Sequence, residues 1–266
     1  VSWNALISGY ACCGFSAKAL ELFQEMQQLE QNLVPDNVTY SCVLAICGSI
    51  GALDIGRDIH SDVRKNGLAQ DLFVCRSLIS MYAECGSLPE AKIVFNSLHF
   101  RDSASWSLMI KYFGINHMGN MAMQCFEEML QEDIKPDAIT FTCLLAACNH
   151  ASLLEEAYYY LKTMKEKFGI TPTSKHYTCM LNLMSRSGHL YEAERLLEML
   201  GLSSTSEEMW VAILSTCKTY GEVELGFRCF EKLVEINPED SAWYVLMADL
   251  YAHVGRLSDA YRIDEL

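Results

Sequence analysis

Residues 3–26 read WNALISGYACCGFSAKALELFQEM. Trp3, Leu6, Ile7 and Tyr10 follow the i, i+3, i+4, i+7 spacing of a one-sided helix, and Ala19, Leu20, Phe23 and Met26 follow it again. Between the two runs stands Gly14, which can take the left-handed conformation that ends one helix and lets the chain reverse into the next. The stretch predicts a helical hairpin: first helix, glycine turn, second helix.

The same hairpin recurs along the whole chain. A small residue, in phase with Ala19, returns at Gly56, Ala91, Ala122, Ala157, Ala193, Gly226 and Ala260, in steps of 37, 35, 31, 35, 36, 33 and 34 residues. Five residues before each of these lies Gly14, Gly51, Gly86, Gly188, Gly221 or Gly255, with His117 and Ser152 in that slot in the two remaining units. A period in this range marks an array of stacked hairpins, each of which buries its apolar face only against its neighbours. The predicted fold class is all-α: a right-handed α-solenoid superhelix of helix–turn–helix repeats. The small residue falls where the second helix crosses a neighbour, so a polar substitute there should unstack the array.

Composition fits that reading. Of 266 residues, 51% are hydrophobic, enough for a large core or two ordinary domains, and the unbroken repeat favours one elongated array. The chain starts at Val1 inside the first helix of a unit and stops at Leu266 inside the last unit's second helix, which reads as a fragment whose targeting peptide would lie upstream. No apolar run approaches a membrane span of roughly 18 residues. The terminal Asp264-Glu265-Leu266 lacks the rest of an endoplasmic reticulum retention tail and reads as a truncation end. Twelve cysteines do not imply disulfides, because one register position is filled in turn by Tyr10, Cys47, Tyr82, Phe113, Cys148, Met184, Cys217 and Tyr251. Cysteine alternates there with aromatic and apolar residues, as an inert core thiol would.

The net charge of −14 is awkward for nucleic-acid binding, which usually leaves a basic footprint. Half of the excess, however, lies in residues 207–266, with 12 acids against 5 bases. None of the seven histidines is followed two residues later by glutamate, and no two cysteines have a two-residue gap, so the zinc deaminase signature is missing. Cys42 with Cys47 and Cys143 with Cys148 are five apart and have no completing ligand for zinc. Phosphate-cradling, zinc-protease and serine-elbow patterns are missing too. The sequence predicts a non-enzyme with no cofactor and no metal.

A longer period overlies the short one. Trp3, Trp106 and Trp210 are 103 and 104 residues apart, and Pro35-Asp36-Asn37-Val38-Thr39-Tyr40-Ser41-Cys42 returns as Pro136-Asp137-Ala138-Ile139-Thr140-Phe141-Thr142-Cys143. With Gly51-Ala52-Leu53-Asp54-Ile55-Gly56-Arg57-Asp58-Ile59-His60 and Met81-Tyr82-Ala83-Glu84-Cys85-Gly86-Ser87-Leu88, these stretches resemble the pentatricopeptide repeat family of land plants, in its subclass of alternating P, L and S motifs. The resemblance implies P, L and S motifs at 1–36, 37–71 and 72–102 and a second triplet at 103–137, 138–173 and 174–206. Residues 207–266 resemble the two E motifs that close such proteins, the second cut short.

That family reads single-stranded RNA one base per repeat, with the fifth residue of the first helix and the last residue of the unit. Carried over, the pairs are Asn4 with Asp36, Ser41 with Asp71, Arg76 with Asp102, Ser107 with Asp137, Thr142 with Thr173, and Thr178 with Ser206. Asn4 with Asp36 resembles a uracil pair and Ser107 with Asp137 a guanine pair. Arg76 departs from the pattern and could meet a phosphate or pair with Asp102. Val1, Val38, Phe73, Ala104, Ile139 and Lys175 would wedge between adjacent bases. The bland reading of all these positions is a solvated or packed helix face.

The resemblance implies an organellar factor, in mitochondrion or chloroplast, that selects sites for cytidine-to-uridine RNA editing. Its implied partners are organellar RNA, a DYW-type cytidine deaminase supplied in trans, and the multiple organellar RNA editing factors, met through the E region and the L motifs; no membrane is involved. The competing expectation is a tetratricopeptide-type protein scaffold, which the acidic charge favours and the uneven 31-to-37 step disfavours.

Overall fold

The computed structural model describes residues 3–29, 35–200 and 207–264, and among them it holds sixteen α-helices. Contacts divide the chain into two units, Val1–Asn116 with Asn120–Lys135, and His117–Gly119 with Pro136–Leu266.

The first unit carries α1 (Trp3–Cys12), α2 (Ser16–Leu29), α3 (Asn37–Ile50), α4 (Leu53–Lys65), α5 (Leu72–Glu84), α6 (Leu88–Ser97), α7 (Ser103–Ile115) and nearly all of α8 (Gly119–Gln131). Its odd-numbered helices pack side by side, α1 on α3, α3 on α5 and α5 on α7. The even-numbered helices form a second layer, α2 against α1 and α3, α4 against α3 and α5, α6 against α5 and α7. The second unit repeats this plan with α9 (Ala138–Ala151), α10 (Leu154–Glu166), α11 (Ser174–Arg186), α12 (Leu190–Leu200), α13 (Glu207–Tyr220), α14 (Val223–Ile236), α15 (Ser241–His253) and α16 (Leu257–Asp264).

The turns form as the glycine series predicts. Gly14, Gly51, Gly86, Gly188, Gly221 and Gly255 all have φ between 68° and 81°. His117 and Ser152 adopt the same left-handed conformation, at 58° and 57°, although it is unfavourable for a residue with a Cβ. The position, not the glycine, defines the hairpin.

The small residues mark the tightest approaches. Ala19, Ala91, Ala122, Ala157 and Ala193 have no exposed surface. A methyl group on Gly56 would lie 2.4 Å from the sulfur of Met81, and one on Gly226 would lie 2.3 Å from Cδ2 of Leu250. In both cases a first helix presses a side chain onto the second helix at the point where that helix has none.

Trp106, Met109, Ile110 and Phe113 on α7 are all buried, Trp106 only 1% exposed. Of their counterparts on α1, Ile7 is buried as well, while Leu6 and Tyr10 are 38% and 37% exposed. Cys47, Cys148 and Cys217 are buried as the register predicts, and burial pushes their thiols up to about 11, 12 and 12. No helix among the described residues is long and apolar enough to cross a membrane.

Candidate nucleic-acid interface

The last residue of each repeat is placed by a helix end. Asp36, Asp71, Asp102 and Asp137 are the N-caps of α3, α5, α7 and α9, and each carboxylate accepts the amide of the third helical residue, Thr39, Val74, Ser105 or Thr140. Caps of this kind contribute about 1 kcal/mol whatever else they do. Asp240 caps α15 through the amide of its second residue, Ala242, and is no reading position in the family pattern. An acidic residue at a repeat boundary therefore has a structural reason to be there, and the functional signal has to come from what else it touches.

At the first repeat it touches the expected partner. Nδ2 of Asn4 donates to both carboxylate oxygens of Asp36, at 3.1 and 3.0 Å, across 32 residues of chain. Thr39 completes the group: its hydroxyl donates to Asp36 at 2.8 Å and also meets the amide oxygen of Asn4. The Thr39 amide, followed by the Thr39 hydroxyl and the Asn4 amide, holds the Asp36 carboxyl below its ordinary range despite the opposing effect of burial. Asp36 is solvent-exposed and ionised at neutral pH.

The third pair also meets. Nη1 of Arg76 lies 2.6 Å from Oδ2 of Asp102, both side chains about 30% exposed, while Oδ1 accepts the amide and hydroxyl of Ser105 at 2.9 and 2.6 Å. Partial burial would raise the Asp102 carboxyl, but Ser105 and Arg76 outweigh it and hold it below the usual range. Of the two fates open to Arg76 in the sequence, pairing with Asp102 is the one present.

The second, fifth and sixth pairs are arranged differently. Ser41 is buried with its hydroxyl unpartnered, and Asn37, one turn earlier on α3, reaches Asp71 instead at 3.4 Å. Ser107 is buried on α7, and Asp137, in the second unit, is exposed at the start of α9. Thr142 and Thr173 meet through His176, which is 1% exposed: its Nδ1 accepts the Thr173 amide at 3.0 Å and lies 2.8 Å from the Thr173 hydroxyl. Its Nε2 lies 3.1 Å from Thr142 Oγ1 and 2.8 Å from the Ala138 carbonyl. Because Nδ1 accepts a backbone N–H, the neutral ring carries its proton on Nε2 and donates it toward Ala138 and Thr142. Thr178 turns back to the Ser174 carbonyl at 2.9 Å, and Ser206 lies outside the described residues.

The wedge positions stand out from the surface. Val38, Phe73 and Ile139 are large apolar side chains 47%, 49% and 66% exposed, and Ala104 and Lys175 are exposed as well; Val1 lies outside the described residues. Each of the three apolar residues sits at the second position of its first helix, one turn before a reading residue.

Sequence reasoning missed the third helical residue of the following repeat. Thr39, Ser105 and Thr140 bond the capping aspartate through hydroxyls, and His176 does the equivalent at Thr173. The signal was available as a capping-box spacing, Asp or Thr followed three residues later by Thr, Ser or His. It also passed over what fills the reading place in the last two hairpins: Val211 and Val245, fifteen residues before Gly226 and Ala260, have no hydrogen-bonding group. Among the described residues no group of three or more His, Cys, Asp or Glu side chains could hold a metal ion.

Known protein families match most of this chain. Residues 1–48 and 101–150 match the PPR repeat family, residues 73–102, 139–167 and 175–201 match the PPR repeat, and residues 220–266 match the E motif. The chain is 36% identical to the chloroplastic pentatricopeptide repeat-containing protein CRR2 of Arabidopsis thaliana, over 100% of this chain and 40% of that protein. It is 35% identical to the chloroplastic protein DOT4, over 99% and 30%, and 35% identical to a mitochondrial pentatricopeptide repeat-containing protein, over 96% and 45%, both of Arabidopsis thaliana. It thus spans less than half the length of these relatives. In structure it is similar to the pentatricopeptide repeat protein PPR10 in complex with an 18-nt psaJ RNA element, with a TM-score of 0.77 at 18% identity over 98% of this chain and 39% of the other.

Proposed function

Because the chain belongs to the pentatricopeptide repeat family, we propose that it binds single-stranded RNA base by base and serves as a site-recognition factor in a plant organelle. The observation that carries this reading is the Asn4–Asp36 pair with exposed Val38 two residues beyond it: a fixed amide and carboxylate for a base edge beside an apolar wedge for its face. The RNA complex of PPR10 and the mitochondrial or chloroplastic names of the relatives support RNA as ligand and an organelle as setting.

The finer reading is cytidine-to-uridine editing. Residues 1–206 form the six reading motifs and 207–266 the E region, which recruits a DYW-type deaminase and organellar editing factors in trans. The loss of hydrogen-bonding side chains at Val211 and Val245 supports a change of task there, from bases to protein. Intact editing at every organellar site in plants lacking the gene would remove the editing step from the proposal.

The net charge of −14 favours a second reading, a protein-binding scaffold. Titrating the chain with single-stranded RNA at low and high salt separates the two. Saturable binding that weakens with salt supports the RNA reading, and no binding at low salt supports the scaffold.

A further inference from the structure

We infer that the third repeat selects cytosine, through the Arg76–Asp102 ion pair acting as one recognition edge; this rests on the RNA-reading function proposed above. Asp102 can accept four hydrogen bonds, two at each oxygen. Ser105 uses both places on Oδ1 with its amide and hydroxyl, and Nη1 of Arg76 uses one on Oδ2, at 2.6 Å. One acceptor place is left, on Oδ2 beside the guanidinium. Arg76 makes no other hydrogen bond to the described residues, so Nε, Nη2 and the second Nη1 proton remain; with the Nη1 proton on the Nε side facing Asp102, the parallel Nη1–H and Nη2–H donors are left over beside Oδ2.

The pair therefore presents an acceptor followed by two donors. Cytosine offers the complement along its Watson–Crick edge: the N4 amino donor, then the N3 and O2 acceptors. Adenine matches the first two places and has only a C–H at the third. Uracil sets O4 against the carboxylate and N3–H against a guanidinium N–H, and guanine is mismatched at all three. The expected order is cytosine, adenine, uracil, guanine. Phe73, half-exposed and one turn before Arg76 on the same face of α5, supplies the plane on which the base stacks.

The pair is held, which gives it specificity rather than mere charge. Asp102 is anchored as the α7 N-cap, and its carboxylate fixes one end of the guanidinium. A lysine at position 76 would keep the charge and lose the fork.

The test measures affinity of the whole chain for a set of short RNAs with uracil opposite the first repeat, guanine opposite the fourth and each base in turn opposite the third. Cytosine at the third place is expected to bind about tenfold tighter than guanine, a discrimination ordinary for one bidentate contact. Replacing that cytosine with 3-deazacytidine, which lacks the N3 acceptor, removes the preference. Arg76→Lys flattens the preference at the third place while keeping the response to the base opposite Asn4. A preference for guanine or uracil, equal binding of all four bases, or a cytosine preference that survives 3-deazacytidine or Arg76→Lys overturns the assignment. If the base opposite Asn4 still matters in that case, the RNA-reading function stands and only this assignment fails; no RNA binding at all overturns both.

Discussion

The side-chain amide of Asn4 spans both carboxylate oxygens of Asp36, at 3.1 and 3.0 Å, and Asp36 at the same time caps α3 through the Thr39 amide at 2.8 Å. One carboxylate serves a helix and a recognition edge together. Asp36→Asn separates the two duties, because asparagine caps a helix about as well as aspartate but no longer offers two anionic acceptors. The variant should melt within about 2 °C of the parent and lose its preference for uracil opposite the first repeat. A melting point several degrees lower would mean that Asn4–Asp36 is chiefly structural.

The left-handed turn at Ser152, with φ of 57°, costs roughly 1 kcal/mol relative to glycine, partly offset by the greater freedom of glycine in the unfolded chain. Ser152→Gly should therefore raise the melting temperature by about 2 °C. A calorimetric scan showing a lower melting point would contradict the turn assignment.

Ala91 has no exposed surface on α6. Ala91→Glu forces a carboxylate into that seam and should destabilise the stack by about 3 kcal/mol or more. An unchanged thermal melt would remove the small residue from the packing account.

Cys47, Cys148 and Cys217 carry thiols raised by burial to about 11, 12 and 12, above the ordinary value of about 8.5. Folded thiols then keep protons that unfolded ones release, so this contribution is complete below about pH 8.5 and fades as pH climbs toward 11 to 12. The melting temperature should hold from pH 6 to 8 and fall above pH 9, and a Cys148→Ala, Cys217→Ala double variant should fall less steeply over the same range. Equal slopes for the two proteins would count against the buried-thiol explanation.

The fold was legible because its signals are local and repeated. Apolar spacing, the left-handed turn and the small residue each recur eight times, so His117 and Ser152 could be assigned to the turn although neither is glycine, and both have positive φ. Of the candidate site, the register brought out the pairs that touch directly, Asn4 with Asp36 and Arg76 with Asp102. Ser41 and Ser107 occupy the same register place yet are buried, since the rotation of α3 and α7 against their neighbours is not written in spacing. His176 bridging Thr142 and Thr173 was invisible for a related reason: the contact from Thr142 spans 34 residues and depends on how deeply α11 seats in the stack. The partner of Arg76 was left open between solvent-side phosphate and Asp102, and the 2.6 Å ion pair with Asp102 is visible only in the structure.

The central claim is that the protein reads bases, and the base opposite Asn4 and Asp36 tests it most directly. Affinity should be measured for four RNAs identical except for that one base, at a single stated salt concentration. The account predicts that the uracil RNA binds tightest, by about fivefold or more, and that Asn4→Ala brings the four affinities together. Four equal affinities for the parent protein would contradict it.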